Sequence, residues 1–204
     1  LGSTLGDGLE PLCTRIGTAF IAQNRIMHKY VFLCRVDLWV LSAGYGLVRA
    51  SKKLAPYEAT FNDMKKHELA EWAQFLNVPD DIRKVIRKSY DLILVLLGDR
   101  YLRACELDDE VVLGGPAIFF TGKASGSRLP KLEHLKIQIL SNADTQSFAC
   151  GLVGLKGEVA ARILESLDAG KTKLAGVVCN SEKVLEKLAK QGKPIPKRSK
   201  VRAN

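Results

Sequence analysis

Along the chain, short apolar runs alternate with stretches whose apolar residues recur at helical spacing. Val36 to Leu41 is a compact apolar run, the pattern of a strand buried on both faces. A clearer one opens at Asp91 and continues to Leu97, and Val111 to Leu113, Ala117 to Phe120 and Leu135 to Leu140 read as further strands. Thr18 to Cys34 predicts a helix, with Phe20, Ile21, Asn24, Met27, His28 and Val31 near a 3.6-residue period. Asp63 is the expected cap of a helix from Met64 to Leu76, with Leu69, Trp72, Ala73 and Leu76 on one face. Pro79 starts a helix over Ile82 to Ser89, and a short one runs from Gly98 through Cys105. Gly157 to Leu167 and Ser181 to Lys190 predict helices, and Leu174 to Cys179 a strand or a helix edge. This alternation implies an α/β fold: a single compact domain, residues 1–191, with a mixed, largely buried sheet flanked by helices. Residues 192–204 are expected to form a flexible basic tail, too rich in proline and charge to pack.

Composition adds two constraints. The 204 residues carry a formal net charge of +9, which favours a polyanionic partner, nucleic acid before membrane. From Lys183 to Asn204 there are eight Lys or Arg against the single Glu186, so much of the excess sits at one end. No apolar run approaches the roughly 18 residues of a membrane span. The five cysteines, Cys13, Cys34, Cys105, Cys150 and Cys179, include no C-x-x-C pair. Buried, reduced thiols and a cytoplasmic setting are the expectation.

Several apparent motifs fail on spacing. Gly170-Lys171-Thr172 would need a glycine where Glu165 stands to complete a phosphate-binding loop. Gly151, Gly154 and Gly157 do not make a dinucleotide fingerprint, and His67-Glu68 has Glu71 where a zinc helix needs histidine. His28, His67 and His134 are far apart in sequence, so no metal or cofactor is expected.

Two constellations remain. The first joins the turn Ser42-Ala43-Gly44-Tyr45-Gly46, Pro56-Tyr57 and Gly98-Asp99-Arg100-Tyr101. Parallel strands would deliver the first and third to one sheet edge, where open α/β sheets bind ligands. Backbone donors, a guanidinium, a carboxylate and aromatic faces suit a nucleobase or a phosphorylated sugar. Asp99 is then the candidate acid/base or hydroxyl anchor. In the plainer reading the glycines serve a tight turn, Tyr45 and Tyr57 pack on the sheet and Asp99 caps a helix. The second runs from Leu152 to Leu164, with 145–167 resembling a helix-hairpin-helix segment whose glycine turn, Lys156, Gly157 and Arg162 would hold a phosphate backbone. Its alternative is a glycine-rich loop ahead of an amphipathic helix. Lys123 and Arg128 in the loop Gly122 to Arg128, with Lys197 and Arg198 in the tail, would supplement it.

The order of these pieces resembles the YaaA superfamily, which includes the peroxide-stress protein YaaA and shorter bacterial, archaeal and phage relatives. The resemblance rests on the strand ending Leu41-Ser42-Ala43-Gly44-Tyr45-Gly46-Leu47-Val48, on Pro56-Tyr57-Glu58, and on the apolar strand entering Gly98-Asp99-Arg100-Tyr101. Lys156-Gly157 and Arg162 fall where that superfamily has a basic stretch likened to helix-hairpin-helix DNA binders. The likeness implies an α/β fold with a positively charged cleft, DNA binding that is mostly sequence-independent, and a part in the response to oxidative stress. Leu1 to Leu12 lacks the apolar opening strand usual in the shorter relatives. The expected function is therefore nucleic-acid binding, DNA first. The rival is an enzyme acting on a nucleotide, nucleoside or nucleic-acid base through the Ser42–Gly46 and Gly98–Tyr101 edge.

Overall fold

Six strands form one sheet in the computed structural model, which describes residues 15–19 and 35–190. In chain order they are β1 (Arg15–Ala19), β2 (Arg35–Ser42), β3 (Gly46–Arg49), β4 (Leu92–Val95), β5 (Ala117–Thr121) and β6 (Leu135–Ile139). Across the sheet they lie in the order β3-β2-β1-β4-β5-β6. β2 and β4 flank β1 in parallel, β5 and β6 continue in parallel, and β3 returns antiparallel on β2. The sheet is mixed, as the alternating pattern implies. Its strand order reverses at β1, and ligands of such doubly wound sheets bind outside the carboxyl ends near that reversal.

The helices are α1 (Lys66–Phe75), α2 (Val78–Ile86), α3 (Asp99–Ala104), α4 (Lys123–Gly126), α5 (Asn142–Ser147), α6 (Leu152–Asp168), α7 (Leu174–Cys179) and α8 (Ser181–Lys190). Strands β4 and β5 are buried along their whole length, and alternate residues point to opposite faces. Ile93, Val95, Leu97, Ala117 and Phe119 pack with Leu69, Ala73, Ile82 and Leu102 of α1, α2 and α3. Leu92, Leu94, Leu96, Ile118 and Phe120 pack with Leu155, Val159, Ile163 and Leu185 of α6 and α8. Two helical layers thus cover the two faces, which is why these strands read as unbroken apolar runs.

Several expected elements change. Thr18 and Ala19 lie in β1, paired with Leu38 and Trp39 on one side and Leu94 and Val95 on the other. A five-residue strand holding a glycine and a threonine carries little periodic signal; the rest of the expected helix, residues 20–34, lies outside the described residues. β2 is less buried than its run suggests: Val36 to Val40 are half-buried, and Leu41 and Ser42 are buried. Val111 to Leu113 forms no strand. Val111 instead fills the first core, and Gly114 N–H donates to Ile86 O at 2.9 Å, fixing the segment beside α2. Asp63 does not cap α1, because Phe61–Asp63 closes a 3₁₀ turn around a fully buried Phe61. The helix starts at Lys66, where Glu68 accepts the Lys65 N–H at 2.8 Å. The segment expected as a flexible basic loop contains α4, with Ser125 and Gly126 buried.

The hairpin expected within 152–157 is absent. α6 is continuous from Leu152 to Asp168, and both Gly154 and Gly157 lie inside it. Each interior glycine costs about 1 kcal/mol relative to alanine, but burial of Leu155, Val159, Ala160, Ile163 and Leu164 outweighs that. Of the cysteines, Cys105 is buried, Cys150 half-buried and Cys179 exposed, and all three are free thiols. Burial pushes the Cys105 thiol pKa up, leaving it inert. No helix among the described residues is long and apolar enough to cross a membrane.

Candidate functional site

β4 ends at Val95, the chain stays buried through Leu97, Gly98 is exposed, and Asp99 opens α3. The carboxylate of Asp99 is held by three donors, one from α3, one from α4 and one from the turn after α4. Ser125 Oγ donates to Oδ1 at 2.6 Å, Arg103 Nε donates to Oδ2 at 2.9 Å, and Arg128 Nη2 donates to Oδ1. Partial burial pushes the Asp99 pKa up, but the hydrogen bonds from Ser125 and Arg103, with the charges of Arg103 and Arg128, outweigh it and hold it below the ordinary value. An ionised carboxylate with both oxygens engaged has no proton to donate at neutral pH. Asp99 therefore fits the anchor role in this structure and not that of a general acid.

Beside it lies a cavity of about 310 Å³ between α1, α3 and the α4 turn, at the small end of the range for small-molecule sites. Leu69, Leu102 and Leu129 give it an apolar floor. Lys66, Arg100, Arg103 and Arg128 oppose only Asp99 and Glu106 around it, so four cations face two carboxylates. Arg100 is steadied by one bond, Nη1 to Met64 O at 3.2 Å. Tyr101 packs away from the cavity, edge-on to Phe61 at 5.0 Å with its hydroxyl 3.5 Å from Thr60 Oγ1.

The Ser42–Gly46 turn belongs to a different feature. It is the β2–β3 hairpin, and its donors are used internally: Ser42 Oγ accepts the N–H of Gly44 at 3.2 Å and of Tyr45 at 3.1 Å. The same hydroxyl donates to Tyr57 Oη at 2.6 Å, and Tyr57 meets Tyr45 edge-on at 5.2 Å. Gly44 is needed for this packing, since a Cβ there would sit 2.6 Å from the Tyr57 ring. Gly46 has φ of +68°, and a Cβ would lie 2.7 Å from Leu76 O. Pro56 and Tyr57 are exposed. The hairpin and the β4 end do share the carboxyl edge, as expected, but β1 lies between them. None of Ser42, Gly44, Tyr45, Gly46, Pro56 or Tyr57 lines the cavity.

The second constellation divides. Lys156, in the second turn of α6, reaches across to the connection between β4 and α3 and donates Nζ–H to Leu97 O. Burial pulls its pKa down to about 8, with the Asp99 charge acting the other way. Because the folded protein releases this proton at lower pH than the unfolded chain, stability should rise with pH between about 8 and 10.5. Comparing urea unfolding of the wild type and Lys156→Met across that window checks this: the rise should be smaller in the variant.

Arg162 is turned inward and held by Glu158, Phe148 and Leu188, which leaves it unsuited to gripping an external phosphate. Gly157 faces open space inside α6, and Lys123 is exposed at the start of α4 without lining the cavity. Lys197 and Arg198 lie outside the described residues. Lys66, Leu69, Leu102, Arg103, Ser125 and Leu129 are among the cavity residues that the sequence reading does not assign to a site. The four-residue spacing from Asp99 to Arg103 was a usable signal; the approach of Ser125 was not.

A doubly wound α/β domain with a cationic cavity beside the carboxyl end of a central strand is thus the class that fold and site define. Residues 17–132 match the model of DUF6884, a family of unknown function, and the chain belongs to that family. The match takes in every residue lining the cavity and stops short of Lys156. No curated protein and no solved structure matches the chain.

Proposed function

We propose that the protein binds a phosphorylated nucleoside, free or as an unpaired residue of nucleic acid, in the cavity between α1, α3 and α4. The observation that carries this is the lining itself: an apolar floor of Leu69, Leu102 and Leu129 beneath an excess of cations. The base would lie on the leucines, the phosphate against Arg100 and Lys66, and Asp99 would accept from a sugar hydroxyl or ring N–H. The net charge of +9 and the resemblance to the YaaA superfamily support nucleic acid, DNA first, in a cytoplasmic protein. In this reading the phosphate contact moves from Lys156 and Arg162 to the cavity rim.

Calorimetric titration of the full chain with each nucleoside monophosphate, and anisotropy with single-stranded and duplex DNA at two salt concentrations, tests it. Arg100→Ala should weaken nucleotide binding by roughly tenfold to a hundredfold, the worth of a charge-assisted hydrogen bond. Single strands should be preferred to duplex, with affinity falling as salt rises. Unchanged nucleotide affinity in Arg100→Ala would remove the cavity from consideration.

A further inference from the structure

Two pairs of aromatic side chains take no part in the cavity and meet at one turn. Trp72 and Phe75 of α1 are stacked, with ring centroids 5.1 Å apart and planes 22° from parallel. Trp72 Nε1–H donates to Ala43 O at 2.7 Å, which pins that ring against the β2–β3 hairpin. At the next residue, Gly44, a Cβ would sit 2.6 Å from the Tyr57 ring, and Tyr57 in turn meets Tyr45 edge-on. Phe75 is 76% exposed, and Tyr45, Tyr57 and Trp72 are each open to solvent. Large apolar groups gathered on a surface mark a place where something binds. These rings are also fixed before any partner arrives: Trp72 by Ala43, Tyr57 by the Ser42 hydroxyl, and Tyr45 by its own hydroxyl on Ala55 O at 3.4 Å. Little side-chain freedom is left for binding to remove.

The bond from Tyr45 to Ala55 ties the segment 49–57 to the rings. That segment carries Arg49, Lys52 and Lys53 and no carboxylate. Lys52 and Lys53 are exposed and form no ion pair among the described residues.

We propose that this face binds a single strand of nucleic acid, its bases stacked on Phe75, Tyr45 and Tyr57 and its phosphates against Lys52 and Lys53. Flat rings beside a basic segment are the parts that hold an unpaired strand without reading its sequence. A duplex covers the faces of its bases with their own neighbours and offers the rings nothing to stack on. Glu58 and Glu71, exposed and next in sequence to Tyr57 and Trp72, carry the opposite sign, so the strand is held there by its bases. The proposal deepens the nucleic-acid branch of the function given above but uses none of the residues that line the cavity.

Fluorescence anisotropy of the full chain with a short labelled oligothymidine tests it, beside an abasic strand of the same length and charge. Phe75→Ala should weaken binding of the thymidine strand by roughly fivefold to a hundredfold, the worth of one stacked base, and leave the abasic strand unchanged. Phe75→Trp should retain the affinity, whereas Phe75→Leu, apolar but without a ring face, should not. Joint Lys52→Gln and Lys53→Gln should weaken both strands and flatten the salt dependence by about 1.4 in log–log slope, the share of two phosphates on a single strand. If nucleoside monophosphates fail to bind while the thymidine strand still depends on Phe75, the cavity reading falls and this one stands. Thymidine-strand affinity equal in the wild type and Phe75→Ala overturns the proposal, even if Arg100→Ala weakens nucleotide binding. A dimer lost in Phe75→Ala by sedimentation velocity, with strand affinity unchanged, overturns it as well and gives the rings to a second copy of the chain.

Discussion

Replacing Arg162 with alanine is expected to lower the unfolding free energy by up to about 3 kcal/mol, the low end of the cost of breaking a buried ion pair from one side, because this pair is only partly buried. The guanidinium is a three-way tie. Nε donates to Glu158 Oε1 at 2.8 Å, Nη2 to Phe148 O at 2.8 Å and Nη1 to Leu188 O at 3.1 Å. It also lies over the Phe148 ring at 5.1 Å. Its side chain is only 15% exposed, so alanine would leave a carboxylate and two carbonyls poorly solvated. Lysine cannot reproduce the planar fork, and Arg162→Lys should recover only part of the loss. Urea unfolding measures the stability, and nucleotide titration of the folded fraction measures the site. A large stability loss with unchanged affinity is the expected pair of results. A loss below about 1 kcal/mol together with weakened DNA binding would return Arg162 to the role of phosphate clamp.

Phe119→Ala is expected to cost about 3–5 kcal/mol. Phe119 is 1% exposed, sits in register between Val95 of β4 and Ile137 of β6, and faces the α1–α3 layer. A cavity there would open two residues from Thr121, where β5 ends ahead of the α4 turn that supplies Ser125. Since domains of this size are stable by about 5–15 kcal/mol, the variant should unfold at far lower urea with little change in slope. Retention of wild-type stability would mean that the sheet does not pack on these helices as described.

What the sequence made readable follows from where each signal resides. β4 was plain because a strand covered on both sides needs an unbroken apolar run, and Leu92 to Leu97 supply one. α8 was plain because Val184, Leu185 and Leu188 bury one stripe of it. β1 was missed because its membership is decided by the neighbours that pair with it. Gly157 is expected at the start of a helix and lies in one; that the helix begins five residues earlier and takes in Gly154 is not legible, because glycine marks loops locally, whereas the outcome is set by burial of Leu155, Val159 and Ile163 along α6. Gly98, Asp99 and Arg100 were singled out correctly as lying at a strand end. That Asp99 is committed to Ser125 and Arg128, partners 26 and 29 residues away, is a tertiary fact that no spacing rule contains. The same holds for the two basic residues of α6, where type and position gave no hint that one turns inward and the other crosses to the connection after β4.

The doubly covered sheet also bears on what the family match denotes. The match ends at residue 132, before β6 and before every helix from α5 to α8. A fragment trimmed to that boundary would keep the cavity lining but strip the cover from Leu92, Leu94, Ile118 and Phe120, leaving a broad greasy flank open to water. The segment that defines kinship here is therefore not a unit of folding. In this chain the shielding comes from α6 and α8, so the residues past 132 belong to the same folded unit as the matched segment.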